Sequence, residues 1–170
     1  MILTAATALT GEYSHSPGWV EVDHGVISAV GSGVPPRPAD VDLGDVVLTP
    51  GFVDMHVHGG GGGAYFEATD TAVAASVTLH RRFGTTSTIA SLVSDHHDVL
   101  VAQVRALADH VESGELLGIH LEGPWLSPDR CGAHEPSARR DPGPAEVSAL
   151  LEAGRGTIRM VPLARELTGA

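Results

Sequence analysis

The chain has 170 residues and a formal net charge of −11, with 21 acidic and 10 basic side chains. Because nucleic acids and anionic membranes reward clustered positive charge, this balance argues against either as the main partner. No apolar run approaches the roughly 20 residues that a membrane helix needs. The single cysteine, Cys131, cannot form an internal disulfide, so the sequence predicts a soluble cytoplasmic protein.

Residues 1–48 carry the pattern of short strands joined by turns. His24-Gly25 separates two strand-like runs and predicts a tight hairpin turn between them. Glycines and prolines punctuate the remaining runs, which is typical of a small all-β unit. We therefore expect part of a small β-sandwich or barrel, with strands near residues 3–9, 19–23, 26–30 and 46–48.

Residues 49–170 alternate strands with helices. The helices are expected near residues 71–83, 95–112, with Asp95 as the N-cap, and 145–153; the strands are expected near 51–58, 85–92, 116–121 and 157–163. Such alternation predicts parallel strands with right-handed crossovers. Four units fit either an open doubly wound sheet or half of an eight-stranded barrel. No G-x-G-x-x-G precedes a helix, which weakens the first option, but periodicity alone leaves both open.

The first chemical motif is P-G-F-V-D-M-H-V-H followed by five glycines. Because side chains at i and i+2 of a strand share a face, His56 and His58 project together. Two imidazoles at the carboxyl end of a strand form half of a divalent metal site. We expect the glycine run, residues 59–63, to let the backbone approach a ligand. The alternative is a pair of polar histidines satisfied by water or carbonyl groups.

The second motif is G-I-H-L-E-G-P-W-L-S at the end of the third expected strand. Glu122 shares a strand face with His120, and a buried carboxylate needs a cation or a donor to offset its desolvation. Glu122 is therefore a candidate metal ligand. His120 lies one pleat deeper, which favours a supporting role over direct ligation.

Together, the H-V-H-G-G-G-G and H-L-E-G-P-W-L-S-P-D-R-C-G-A-H-E-P motifs resemble those of the N-acetylglucosamine-6-phosphate deacetylase family, within the amidohydrolase superfamily. The resemblance implies an α/β fold: about four units of a (β/α)8 TIM barrel over residues 49–170, preceded by part of a small β-sandwich over 1–48. It implies His56, His58 and Glu122 as ligands of one or two divalent cations, with zinc the expected metal. Ala133 and His134 match positions that contact the sugar phosphate.

The resemblance also implies what lies outside the chain. The family draws two more histidine ligands and a catalytic aspartate from later strands, beyond Ala170, so this chain alone is expected to be inactive. The complete enzyme would convert N-acetylglucosamine 6-phosphate to glucosamine 6-phosphate and acetate, and would form a homodimer. The absence of lysine disfavours relatives that bridge their metals with a carboxylated lysine. The alternatives are a non-catalytic truncated fragment, a deaminase or a cyclic-amide hydrolase.

One further segment, residues 124–142, is longer than most connections in a compact barrel. Such loops are more often functional than filler, so we predict that it forms a lid. Cys131 lies on this segment and is expected to be a structural thiol. Arg139 and Arg140 are expected to face solvent, with a phosphate contact as the alternative for this pair.

Overall fold

The structure, a computed structural model, describes residues 1–170 and contains two compact units, Met1–Gly51 and Phe52–Ala170. The chain contains no helix that is both long and apolar enough to cross a membrane. The first unit is all-β and the second alternates strands with helices.

The first unit holds seven short strands, which are β1 (Ile2–Ala5), β2 (Thr7–Leu9), β3 (Ser14–His15), β4 (Gly18–Asp23), β5 (Val26–Ser32), β6 (Val41–Asp42) and β7 (Val47–Leu48). They form a four-stranded sheet in the order β5-β4-β1-β6 and a three-stranded sheet in the order β3-β2-β7. The predicted hairpin joins β4 to β5. His24 and Gly25 have φ values of 48° and 78°, as a two-residue turn of the primed type requires.

The single strand predicted over residues 3–9 is two strands, because the chain changes sheets at Ala6. β1 pairs with β4, whereas β2 pairs with β3 and β7. At the break, the Ala6 amide donates to the Gly44 carbonyl at 3.0 Å. Hydrophobic alternation continues through such a change of partner, so the sequence pattern does not reveal it.

The second unit is built on six strands and three helices: β8 (Phe52–Val57), β9 (Gly59–Gly60), β10 (Gly63–Ala64), α1 (Asp70–Arg82), β11 (Thr85–Val93), α2 (His97–Glu112), β12 (Gly118–Glu122), α3 (Pro144–Gly154) and β13 (Ile158–Met160). β8, β11, β12 and β13 form one parallel sheet in chain order. A doubly wound sheet reverses its strand order at a switch point, whereas this sheet adds each strand beside the last. The order is that of consecutive strands in a (β/α)8 barrel.

The core of this unit lies between the sheet and the helices. Leu100, Val104 and Leu107 on α2 are fully buried, as are Leu92 and Ile119 on the strands. The apolar positions of α2 recur at helical spacing, so one face of the helix is fixed against the sheet. This packing holds β11 and β12 side by side and sets the positions of their carboxyl ends.

Two predicted boundaries were wrong for identifiable reasons. Helix α2 begins at His97, and Asp95 is not its N-cap, because the Asp95 side chain accepts from the adjacent His96 amide at 2.7 Å. Strand β13 ends at Met160 rather than at residue 163. Pro162, just beyond, has no N–H with which to continue a strand ladder.

Candidate metal centre

His56, His58 and Glu122 meet at one edge of the parallel sheet. The two histidines stand at the carboxyl end of β8, and Glu122 ends β12. Strand β11 lies between β8 and β12 in the sheet. Because all three strands run parallel, their carboxyl ends share the edge at which barrel enzymes place their active sites.

The three side chains converge closely enough to share one ion. The His58 Nε2 atom lies 2.9 Å from Glu122 Oε2, and the His56 Nε2 atom lies 3.5 Å from the same oxygen. The two Nε2 atoms are 3.2 Å apart. Two nitrogen ligands of a tetrahedral zinc ion lie about 3.4 Å apart, given bonds of 2.0–2.1 Å. The donor set and its spacing therefore fit a divalent cation.

The protonation pattern of His58 also suits a ligand. Its Nδ1 atom lies 3.1 Å from the Ser91 carbonyl oxygen. Because a carbonyl can only accept, Nδ1 carries a proton, which leaves Nε2 as the nitrogen available to a cation placed between His58 and Glu122. Metal-binding histidines usually have their second nitrogen anchored in this way.

His120 lies beneath these three residues and is almost fully buried, with 3% of its surface exposed. Its Nδ1 atom is 2.9 Å from Ser91 Oγ, and its ring centroid is 5.1 Å from that of His56. Burial lowers the pKa of His120, and the neighbouring His56 lowers it further. These contacts are those of a neutral ring that packs against His56. That His120 does not bind the metal directly stays a prediction.

A cavity of about 660 Å³ opens beside the centre. Its lining includes His58, Ser94, Glu122, Ala133, His134 and Glu135. The structure thus brings both residues predicted to contact substrate into the same cavity as two of the three predicted ligands. The His134 Nε2 atom lies 3.8 Å from Glu122 Oε1. The volume falls in the range of small-molecule sites.

The glycine run packs against helix α1. A Cβ atom at Gly63 would lie 2.5 Å from the Ala72 carbonyl oxygen, and one at Gly61 would lie 2.7 Å from that of Ala75. Both of those carbonyls belong to helix α1. The glycines let a two-residue β-ladder pack against this helix, and none of them lines the cavity. The expected approach of this backbone to a ligand stays a prediction.

The loop between β12 and α3 is anchored at both of its ends by one carboxylate, Glu146. Near the start of the loop, Trp125 Nε1 donates to Glu146 Oε2 at 3.2 Å. Near its end, Arg140 Nε donates to Glu146 Oε1 at 2.7 Å and Nη1 donates to the Asp95 carbonyl at 2.9 Å. The solvent-facing prediction was therefore wrong for Arg140. Sequence reasoning missed Glu146, whose only signal was its place in the first turn of α3.

Glu146 should make the stability of the chain depend on pH. Burial opposes its ionisation, but hydrogen bonds from Arg140 and Trp125 outweigh burial and hold its pKa below the usual 4.5. Because the pKa of Glu146 is lower in the folded state, its ionisation stabilises the fold at pH values above the unfolded-state pKa. That contribution is lost as the pH falls through the folded-state pKa. We expect Glu146→Gln to lower the free energy of unfolding by about 1–3 kcal/mol at pH 7.

Urea unfolding at pH 7 and at successively lower pH values tests this expectation. The difference between wild type and Glu146→Gln should shrink below about pH 4.5, because the protonated carboxyl resembles the amide. Glu152→Gln, on an exposed position of the same helix, is the matched control and should change little. A Glu146→Gln effect that stayed constant with pH would contradict the role assigned to the charge.

Comparison with known proteins decides the family. The amidohydrolase family profile matches residues 47–165. The chain belongs to the amidohydrolase family. This family uses divalent metal ions, in agreement with the histidine and glutamate cluster.

Named relatives are sugar-phosphate deacetylases. The N-acetylgalactosamine-6-phosphate deacetylase of Escherichia coli O157:H7 is 33% identical over 99% of this chain and 45% of its own length. The N-acetylglucosamine-6-phosphate deacetylase of Bacillus subtilis is 35% identical over 88% of this chain and 40% of its own length. The chain thus spans less than half the length of either relative.

A solved structure gives a higher similarity. The crystal structure of N-acetyl-D-glucosamine-6-phosphate deacetylase from Mycobacterium smegmatis is 52% identical, with a TM-score of 0.97 over 100% of this chain and 49% of that one. The Thermotoga maritima enzyme, at 26% identity, has a TM-score of 0.83 over 99% of this chain. The predicted family and the partial barrel are confirmed.

Proposed function

We propose that this chain supplies the metal-binding half of an enzyme that hydrolyses N-acetylglucosamine 6-phosphate to glucosamine 6-phosphate and acetate. The observation that carries the proposal is the convergence of His56, His58 and Glu122 beside the cavity that Ala133 and His134 line. Similarity supports the substrate, because a mutant of the Mycobacterium smegmatis enzyme was solved with N-acetyl-D-glucosamine-6-phosphate bound.

Three residues of this chain are proposed to bind the metal. His56 and His58 present nitrogen ligands, and Glu122 presents a carboxylate that offsets the charge of a cation. When bound, a divalent cation polarises an amide carbonyl and lowers the pKa of a coordinated water. We take zinc as the metal, because imidazole and carboxylate ligands at this spacing suit it.

The cavity is suited to hold an acetamide beside these ligands. His134, with 10% of its side chain exposed, faces Glu122 from the loop, and Ala133 adjoins it in the cavity wall. Both are proposed to contact the sugar phosphate. The family resemblance supports no general base within residues 1–170, and of the two cavity carboxylates, Glu122 is proposed to bind the metal.

Two further proposals concern the complete enzyme. We propose that it works as a homodimer, which the family resemblance supports. We also propose that it acts in the cytoplasm, since a single cysteine is compatible with a reducing compartment.

A chimera tests the proposed function. Residues 1–170 would be joined to the remaining part of the Mycobacterium smegmatis deacetylase, which is 52% identical over the shared region. We expect zinc-dependent acetate release from N-acetylglucosamine 6-phosphate, measured by coupled assay. A folded, metal-loaded chimera that instead deaminated a nucleobase or opened a cyclic amide would overturn the proposal.

N-acetylgalactosamine 6-phosphate is the second candidate substrate. A relative named for it is 33% identical over 99% of this chain. The two sugars differ only in the configuration of one hydroxyl, far from the acetamide bond that breaks. Comparing kcat/KM of the chimera for both sugars distinguishes the candidates, and we expect the glucosamine substrate to give the higher value.

A further inference from the structure

Two serines at the end of β11 contact two different histidines of the site. Ser91 accepts from His58 through its carbonyl oxygen, as described above. Ser94, three residues later, contacts His134. Its backbone N–H donates to His134 Nδ1 at 3.2 Å, and its Oγ atom lies 2.8 Å from the same nitrogen.

These contacts assign opposite tautomers to the two rings. A backbone amide can only donate, so Nδ1 of the neutral His134 ring carries no proton and Nε2 carries it. A backbone carbonyl can only accept, so Nδ1 of His58 carries a proton, and its Nε2 presents a lone pair when a cation is bound. One ring therefore presents a lone pair to the cavity edge and the other presents an N–H.

The Nε2–H group of His134 lies beside Glu122 in the cavity. Its Nε2 atom lies 3.8 Å from Glu122 Oε1, and both residues line the cavity. In this tautomer His134 cannot bind a metal through Nε2, but it can donate to an oxygen atom of a ligand. A carbonyl or anionic oxygen is the complementary acceptor.

The space for Ser94 comes from a glycine on the neighbouring strand end. A Cβ atom at Gly123 would lie 2.1 Å from Ser94 Oγ. Gly123 has φ of 98°, so a side chain would be strained there as well. Ser94 itself is 6% exposed, so little of it contacts bulk water.

We propose that Ser94 is a positioning residue that fixes His134 in the Nε2–H tautomer and aims this donor at a ligand carbonyl or anionic oxygen. The tautomer stands on the contacts alone. Its use on the acetamide carbonyl of an amino-sugar phosphate rests on the proposed function.

The tautomer is tested on the zinc-loaded 170-residue chain without substrate. Long-range ¹H–¹⁵N spectra of histidine-labelled protein at pH 8 report which nitrogen of each ring is protonated. His134→Gln and His58→Gln identify the resonances by their disappearance. We expect a protonated Nε2 on His134 and a protonated Nδ1 on His58. A protonated Nδ1 on His134 would overturn the proposal.

The positioning role is tested with Ser94→Ala and Ser94→Thr in both the chain and the chimera. Ser94→Ala should move the His134 Nδ1 resonance and lower kcat about tenfold with a smaller change in KM, while zinc binding is retained. Ser94→Thr, which keeps the hydroxyl, should restore both readouts. Ser87→Ala, on the same strand but outside the cavity lining, is the matched control.

The outcomes separate the two proposals. If Ser94→Ala leaves the His134 resonances and kcat unchanged, Ser94 has no positioning role, whatever the substrate. If the resonances move as expected and the chimera does not release acetate from either sugar phosphate, the Ser94 assignment stands and the proposed function fails.

Discussion

Glu122→Gln is expected to abolish metal binding while leaving the fold intact. Glu122 supplies the only carboxylate of the converging group, and its Oε2 atom contacts both histidine Nε2 atoms. Glutamine keeps the volume but provides a neutral amide, so it cannot offset the charge of a cation. Because losing an outer partner of a ligand already costs 10–100-fold in affinity, we expect a loss of more than about 100-fold. Isothermal titration of the 170-residue chain with Zn²⁺ measures it.

His120→Gln is the matched control for this variant. His120 contacts Ser91 Oγ and the His56 ring, and it lies outside the converging group. We therefore expect it to lose about 10–100-fold in zinc affinity, less than Glu122→Gln does. Circular dichroism of both variants establishes that they are folded. Equal losses would show that His120 binds the metal directly, and a larger loss for His120→Gln would reverse the two roles.

The 170-residue chain by itself is expected to release acetate from N-acetylglucosamine 6-phosphate several powers of ten more slowly than the chimera. Hydrolysis of an amide needs a general acid to protonate the leaving amine, and removing such a group costs about 10²–10⁴-fold or more. Within residues 1–170, the carboxylates of the cavity are Glu122, which is proposed to bind the metal, and Glu135, which is exposed. Acetate release by the purified, zinc-loaded chain measures the effect.

The contrary result would be informative. If the chain alone matched the chimera in turnover, a residue inside 1–170 would have to act as the base. Glu135 would then be the first candidate, because it lines the cavity and is exposed. A Glu135→Gln variant of the active chain would test that assignment, with Glu152→Gln, outside the cavity lining, as its control.

The sequence predicted most of the parallel sheet, because local signals were sufficient there. The H-V-H motif marked the end of β8, and the H-L-E motif marked the end of β12. Parallel strands then bring these ends together without any further information. The hairpin at His24-Gly25 was predictable for the same reason, since a tight turn is encoded by the residues that form it.

Other features depend on partners that are distant along the chain. The packing of the glycine run against helix α1 was not predicted, because nothing local in the sequence shows that this helix occupies the space beside it. Glu146 and Ser94 were missed for the same reason, since each acts on a loop residue far away in sequence. A hint was nonetheless present at Ser91 and Ser94. Both are polar residues near the end of β11, beside the buried apolar residues Ile89, Ala90 and Leu92.

The position of β11 between the two ligand-bearing strands has a consequence for folding. His56 and His58 are neighbours, but Glu122 joins them only after β11 has paired with both β8 and β12. The unfolded chain therefore offers a cation the two histidines without the Glu122 carboxylate. Zinc should bind the folded chain in preference and raise its free energy of unfolding, by about 2.7 kcal/mol at a free concentration of 100 times Kd. The metal thus stabilises the order of β8, β11 and β12 once these strands have paired.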